Sequence, residues 1–392
     1  MNRIIYLDNA ATTRVREEVL EEMLPFFRET YSNPSAIYSF AGEARKAVGI
    51  ARERAAALIG AKAGEIYFTA GGTESDNWAV RAVAESRADK GRHIITSRIE
   101  HHAVLHTCEY LERQGYEVTY LDVDEEGKIS PEAVERAIRP ETILISVMAA
   151  NNEIGVLEPV ARIGEIAHER GVLFHTDAVQ AYGHIPLDVE TMHIDLLSAS
   201  GHKLNGPKGV GMLYCRENLR LGALIHGGAQ EKGRRAGTLN VPGIVGFGKA
   251  AALAGERMQE RYEREEKLRD YLIDRVLAEI PYTRLNGSAK ERLSNNVHFC
   301  FRFIEGESLL ILLDQKGVCA SSGSACTSGA LDPSHVLLAI GLPHEMAHGS
   351  LRLTLSEETT KEELDYVVES LKEIVGRLRS MSPLYEDFLK QK

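Results

Sequence analysis

Seven short apolar runs recur between residues 65 and 215 with helical patterns between most of them. This alternation constrains the fold more than any other feature. The runs are EIYFT (65–69), HIITS (93–97), EVTYLDV (117–123), TILISVMA (142–149), VLFHTDA (172–178), IDLLSAS (194–200) and VGMLYC (210–215), and the helical stretches lie at 73–87, 101–114, 131–138 and 160–170. Buried strands alternating with helices form a mostly parallel sheet, because a parallel pair needs a long crossover and the crossover helices cover both faces. The expected fold class is α/β, with a mostly parallel seven-stranded sheet and helices on both faces. Ligands of such sheets sit outside the carboxyl ends of the strands.

The pattern changes after about residue 242. One long charged helix, roughly 243–280, is expected as a bridge, with no strand after it until NNVHFCF (295–301). The segment 296–378 has about three strands and three helices and reads as a smaller α/β domain. A chain of 392 residues exceeds what one compact core usually organises. The expected division is a large domain at 15–255 and a small domain made of 1–14 and 256–392.

Charge narrows the partners. With 46 basic and 57 acidic residues the net charge is −11, which disfavours nucleic acid as a direct ligand. No run of about 18 apolar residues occurs, so no membrane span is expected. The start MNRIIYLDNAATT lacks a signal-peptide pattern, and the expected location is cytoplasmic. Five cysteines, an odd count without a CxxC pair, do not form a disulfide framework.

Several motifs follow the strands directly. In HTDAVQAYG (175–183), Asp177 ends an apolar run. A carboxylate buried there must cap a helix or meet a cation. In SASGHKLNGPKGVG (198–211), Lys203 follows a strand among small residues. A lysine in that position is commonly a surface residue, but in a confined site it forms Schiff bases with aldehydes. Lys208, in GPKG, is the rival and looks like an exposed turn. In FTAGGTESDNWAV (68–80), a strand runs into Gly71, Gly72 and Thr73, and a helix follows from Glu74. That is either an ordinary glycine turn capped by threonine or a phosphate cradle at a helix N-terminus.

These three pieces complement one another. A phosphate cradle, a Schiff-base lysine and a carboxylate for a ring nitrogen are what pyridoxal 5′-phosphate requires. In SRIEHHAV (97–104), His101 is either a helix-start histidine or a ring stacked on that cofactor. His101, His102 and His106 lack both the HExxH pattern and a thiolate pair, so no resident metal is expected. In CASSGSACTSGALDPSHV (319–336), Cys326 sits in a Ser/Gly/Ala run that can bury little apolar surface. An exposed cysteine there is a candidate nucleophile, whereas Cys108, Cys215, Cys300 and Cys319 read as structural.

From YLDNAATT (6–13) to SPLYE (382–386) the chain resembles the cysteine desulfurases of the NifS/IscS type, among the class V aminotransferase-like, fold-type I pyridoxal-phosphate enzymes. The resemblance rests on SNPSAIY, TAGGTESDN, EHHAV, NNEIGV, HTDAVQ, SGHKLNGPKGVG, RRAGTLN and ASSGSACTSG, and the cysteine stretch is similar to the NifS/IscS branch. It implies that Lys203 anchors the cofactor, Asp177 pairs with the pyridinium nitrogen, Gln180 bonds the phenolic oxygen and His101 stacks on the ring. It implies phosphate contacts from Gly72, Thr73, Ser200 and His202, and from Thr238 of a second subunit, hence a homodimer. Asn33, Asn152 and Arg352 would hold the carboxylate of L-cysteine, with Asn152 also near the cofactor. Cys326 would receive the sulfur, and Lys203, His101 and Cys326 would be the catalytic set.

Two departures from the family pattern touch the rim of the site: Ala36 and Tyr38 where serine and histidine are common, and Leu239 where glutamate is common. The resemblance further implies delivery of sulfur to an iron–sulfur scaffold or another acceptor, with Cys326 the position that would transiently ligate a cluster. A class V aminotransferase or a selenocysteine lyase would use the same cofactor residues. Cys326 separates the aminotransferase reading, since a transaminase has no use for that thiol.

Overall fold

The structure is a computed structural model that describes residues 4–322 and 333–391. Its strands are β1 (Ile5–Tyr6), β2 (Ile66–Thr69), β3 (His93–Ser97), β4 (Glu117–Leu121), β5 (Thr142–Ser146), β6 (Leu173–Asp177), β7 (Leu196–Ser200), β8 (Gly211–Cys215), β9 (Thr283–Leu285), β10 (Asn296–Phe301), β11 (Val318–Cys319) and β12 (Ser350–Thr354). The central sheet has seven strands in the order β2-β8-β7-β6-β5-β3-β4. All its neighbours pair in parallel except β8, which runs antiparallel to β2 and β7. The expected α/β sheet is therefore present, with all seven expected strands in it.

Successive residues on these strands enter opposite cores. Ile95, Ile145, Phe174, Leu197 and Met212 pack with the helices Ala41–Ala57 and Val241–Glu256. Ile94, Leu144, Leu173, Leu196 and Leu213 pack under the helices Gly72–Ser86 and His102–Glu112. That is why the runs read as continuously apolar: each strand is covered on both sides.

A second core lies around an antiparallel sheet of order β12-β10-β9 and the parallel pair β1-β11. It gathers Ile5 and Leu7 from the N-terminus, Leu272 and Val276 from the helix Met258–Glu279, and Val367 and Leu371 from the helix Lys361–Ser380. No described helix is long and apolar enough to cross a membrane.

Several expectations need correction. The single bridge helix is two helices, Val241–Glu256 and Met258–Glu279, broken at Arg257, which leaves helical geometry at φ −112°, ψ 8°. The first half is apolar and belongs to the central core. The second is charged and turns Leu272, Ile273 and Val276, with the partly buried Leu268 and Tyr271, into the other core, so a change of direction serves both. The three-residue β9 precedes β10, where no strand was expected. The segment 296–378 contains four described helices rather than three: Gly306–Gln315, His335–Ala339, His344–His348 and Lys361–Ser380.

Candidate active site

The site assembles at the carboxyl ends of β2, β6 and β7. After β2 the chain turns at Gly71 and enters the helix Gly72–Ser86, which has no side-chain cap. The helix begins at Gly72 rather than at Glu74, so Thr73 lies in its first turn and is not the cap. The uncapped first-turn N–H groups are the kind of helix start that favours an anion. Glycine is required at its floor: a Cβ on Gly72 would lie 2.5 Å from Val179 Cγ2, and one on Gly211 would lie 2.7 Å from Gly71 Cα. Ser200, at the end of β7, faces the same turn, with its Oγ 3.8 Å from where a Gly71 Cβ would project.

Asp177 closes β6 and is 4% exposed. Its Oδ1 accepts the Val179 N–H at 2.9 Å. Burial pushes its carboxyl above the usual range, against the pull of that N–H and of the Lys203 charge. A carboxylate in this state is stabilised by a further cation beside it. Behind it lies a buried polar set. His175, two residues earlier on β6, meets Ser146 Oγ at 2.8 Å and Ser198 Oγ at 3.0 Å, and its Nε2 is 3.7 Å from the buried Asp76.

Lys203 ends the short turn Gly201–Lys203 that follows β7 and is half-buried. Its Nζ donates to the carbonyls of Ala10 and, at 2.8 Å, Ala11. The same N-terminal segment is stitched to the turn by Thr13 N–H on the His202 carbonyl at 2.9 Å and by Thr12 Oγ1 beside His202 Nδ1 at 3.1 Å. Burial, then the neighbouring Lys203 and Lys208 charges, lower His202 to about 4. Gln180 Nε2 reaches the Ala10 carbonyl at 3.1 Å. Lys208 is exposed, in keeping with its turn reading.

His101 caps the helix His102–Glu112, its Nδ1 accepting the Ala103 N–H at 3.1 Å. The helix-start reading is correct as geometry, and it fixes the tautomer: a neutral ring accepting at Nδ1 carries its proton on Nε2. Burial, helped by the Lys203 charge, lowers His101 to about 4, so the ring is neutral at pH 7.

Arg352, on β12, is 2% exposed. Its Nη1 donates to the Asn152 carbonyl at 2.8 Å and its Nη2 to Asp8 Oδ1 at 2.9 Å. Asn152 is half-buried. Asn33 and Thr238 are exposed, and Asn33 turns its Oδ1 onto the Ser35 N–H at 2.9 Å. The Thr238 segment is pinned from behind by Arg235 on Glu74, at 2.9 and 3.2 Å, and by Arg52 on Glu231, at 2.8 and 2.6 Å. Tyr38 is exposed, Ala36 is half-buried, and Leu239 packs against the central core.

Cys326 lies outside the described residues. On its flanks, Ser321 pairs with Arg352 through two backbone hydrogen bonds and Ser334 Oγ donates to the buried Glu153 at 2.5 Å. Cys108, Cys215 and Cys300 are buried, and burial raises their thiols, the last two to about 11. Cys319 is only half-buried, its thiol also raised by burial. Among the described residues no His, Cys, Asp or Glu cluster could hold a metal ion.

Sequence reasoning missed Asp8, Ala10 and Ala11, which contact Arg352 and Lys203, and the Asp76–His175 pair behind Asp177. Only the second left a local trace. His175 and Asp177 are two apart on a strand and so share a face.

Taken together, an uncapped helix start floored by glycine, a lysine held by carbonyls and a buried carboxylate lacking a full cationic partner fit pyridoxal phosphate. Residues 5–367 match the family described as Aminotransferase class-V. A protein of Methanosarcina thermophila named Cysteine desulfurase IscS is 57% identical over 98% of this chain and 95% of its own length. One of the same name from Clostridium botulinum is 55% identical over 100% of this chain and 99% of its own. A solved NifS-like protein superposes with a TM-score of 0.90 at 40% identity, covering 95% of this chain and 100% of that one. Pyridoxal phosphate is the cofactor of these enzymes. Matched across nearly its whole length in sequence and in fold, the chain belongs to the class V aminotransferase family and, within it, to the cysteine desulfurases.

Proposed function

We propose that this enzyme converts L-cysteine to L-alanine and moves the sulfur onto Cys326 as a persulfide. The observation that carries the reading is the Lys203 amine, held by the Ala10 and Ala11 carbonyls, in the turn that follows β7, the strand paired with the one the buried Asp177 closes. Pyridoxal phosphate supplies, when bound, an aldehyde for covalent attachment and a ring that takes up the electrons of a broken C–H bond. Gly72, Thr73, Ser200 and His202 bind its phosphate, and Asn152 and Gln180 orient the ring. Asp177 would hold the protonated ring nitrogen, and the neutral His101, its proton on Nε2, would lie against the ring. Asn33, Asn152 and Arg352 fix the substrate carboxylate, Arg352 through its planar fork. Lys203, as a free amine, takes the proton from the substrate Cα. The Cys326 thiolate attacks the substrate sulfur, forming an S–S bond as the C–S bond breaks, and the remaining three-carbon fragment takes up protons to leave as alanine.

Mass spectrometry after addition of L-cysteine should locate one extra sulfur on Cys326. Cys326→Ala should keep the visible band of the bound cofactor and lose alanine formation by at least 100-fold. Full activity in that variant rules out the relay. Lys203→Ala should lose the visible band of the covalently attached cofactor.

The reading extends to assembly. The enzyme works as a homodimer in which Thr238 reaches the phosphate of the partner subunit. The exposed Phe27, Tyr31, Ile37, Tyr38 and Phe40 are in keeping with a subunit interface. The persulfide passes to an iron–sulfur scaffold or a comparable acceptor in the cytoplasm. The chain divides into a large domain at 15–255 and a small one of 1–14 and 256–392, a reading supported by the separate cores around the two main sheets.

A further inference from the structure

Arg352 is almost wholly buried, and a buried guanidinium needs a compensating anion and partners for its donors. Asp8 is the carboxylate hydrogen-bonded to it, and the buried Glu153 also lies within reach of its charge. Nη1 goes to the Asn152 carbonyl at 2.8 Å and Nη2 to the Asp8 carboxylate at 2.9 Å, while Nε is buried without a hydrogen-bond partner among the described residues. The side chain of Arg352 is 3% exposed, that of Asp8 20%. Of the two, Asp8 is the one that faces solvent.

Asp8 is also rigidly placed. The segment around it is stitched to β12, with Thr354 N–H on the Leu7 carbonyl at 2.7 Å, Asn9 Nδ2 on the Thr354 carbonyl at 2.8 Å and Ala10 N–H on Thr354 Oγ1 at 2.9 Å. Two residues further on, the Ala10 and Ala11 carbonyls hold Lys203. One short stretch thus carries the anion on Arg352 and the contacts on Lys203.

A carboxylate binds arginine best across one edge of the fork, through two parallel hydrogen bonds. Asp8 makes only one, to Nη2, and leaves Nε beside it unused. We propose that Asp8 is an internal stand-in for the substrate carboxylate: it keeps Arg352 oriented before substrate arrives and gives up the Nε–Nη2 edge when the substrate carboxylate takes it. Two carboxylates on one guanidinium repel each other, so Asp8 sets the affinity for the incoming acid without touching the reacting atoms. The inference rests on the reading that Arg352 receives the substrate carboxylate.

The test uses the holoenzyme with Asp8→Asn, which keeps the shape and removes the competing charge. The KM for L-cysteine should fall at least threefold with kcat within twofold of the parent. The inhibition constant of propionate, which has a carboxylate but no amine, should fall in parallel. Unchanged or raised values for both overturn the proposal. A purely structural role for Asp8 would instead lower kcat and the melting temperature together. Asp8→Ser serves as the second variant if the asparagine form does not fold. Arg352→Lys separates this inference from the reading beneath it. If that variant leaves KM and propionate inhibition unchanged, Arg352 is not the carboxylate site. If it raises both at least tenfold while Asp8→Asn lowers neither, the stand-in role alone fails.

Discussion

Glu100 stands beside His101 with no exposed surface. Its Oε1 accepts Ser97 Oγ at 2.6 Å and the Met148 N–H at 3.1 Å, while Oε2 has no partner among the described residues. Burial pushes its carboxyl from 4.5 up to about 8. The folded protein therefore keeps a proton that the unfolded chain releases, and stability falls as pH rises from about 4.5 to 8. Glu100→Gln should remove that titration. Its melting temperature should depend less on pH across this window, with roughly 2–4 kcal/mol of pH-dependent stability lost from the profile. Thermal melts at pH 5 and pH 8 check it, and an unchanged slope refutes the assignment. At this scale the sequence revealed what sits in strand-end motifs. Lys203, Asp177 and His101 are all close to a strand terminus, where a parallel sheet gathers chemistry. Asp8 and Arg352 are 344 positions apart and meet only through the pairing of the N-terminal segment with β12, so nothing local could announce them.

The proposed phosphate cradle depends on how closely β2, β7 and β8 approach. Gly211 opens β8 opposite Thr69 and Ser200, and a Cβ there would lie 2.5 Å from the Ala199 carbonyl oxygen and 2.7 Å from Gly71 Cα. Both obstacles are backbone and cannot swing aside. Gly211→Ala should cost about 2–4 kcal/mol of stability through strand displacement. It should also weaken cofactor binding, because Gly71 forms the entrance to the helix that would hold the phosphate. Denaturant unfolding and titration of the visible band measure the two effects. Loss of stability with unaltered cofactor affinity would detach Gly211 from the cradle. The strands themselves were legible because each is covered on both faces and reads as a dense apolar run. The elements that escaped lack that signature: β9 is three half-buried residues, and the helix Ala41–Ala57 buries mainly alanines, whose apolar stripe is weak. The break at Arg257 carries no proline, and its marks in the sequence are Gly255 just before it and the change from an apolar to a charged half.

Across the whole molecule, the change of pattern that the sequence shows near residue 242 falls ahead of the change of core, which comes at Arg257, and Ile5 and Leu7 pack with the core beyond it. Thr238 is exposed, yet its segment is braced by the Arg235–Glu74 and Arg52–Glu231 pairs. Such bracing suits a hydroxyl presented to another subunit. Thr238→Ala should then weaken cofactor binding by roughly 10- to 100-fold, the equivalent of about 1.5–3 kcal/mol for a hydrogen bond to a charged group. Mixed dimers decide which subunit it serves. In a heterodimer of Lys203→Ala with Thr238→Ala subunits, a hydroxyl acting across the interface leaves one site with both residues intact and the other with neither. Half of the sites should then bind cofactor with parental affinity. A hydroxyl acting within its own chain leaves no intact site, and every site with a lysine should show the weakened affinity of the Thr238→Ala homodimer. Differently tagged subunits, purified as the heterodimer and titrated by the visible band, give opposite results for the two cases. The second result would require the phosphate contact to be redrawn within one subunit.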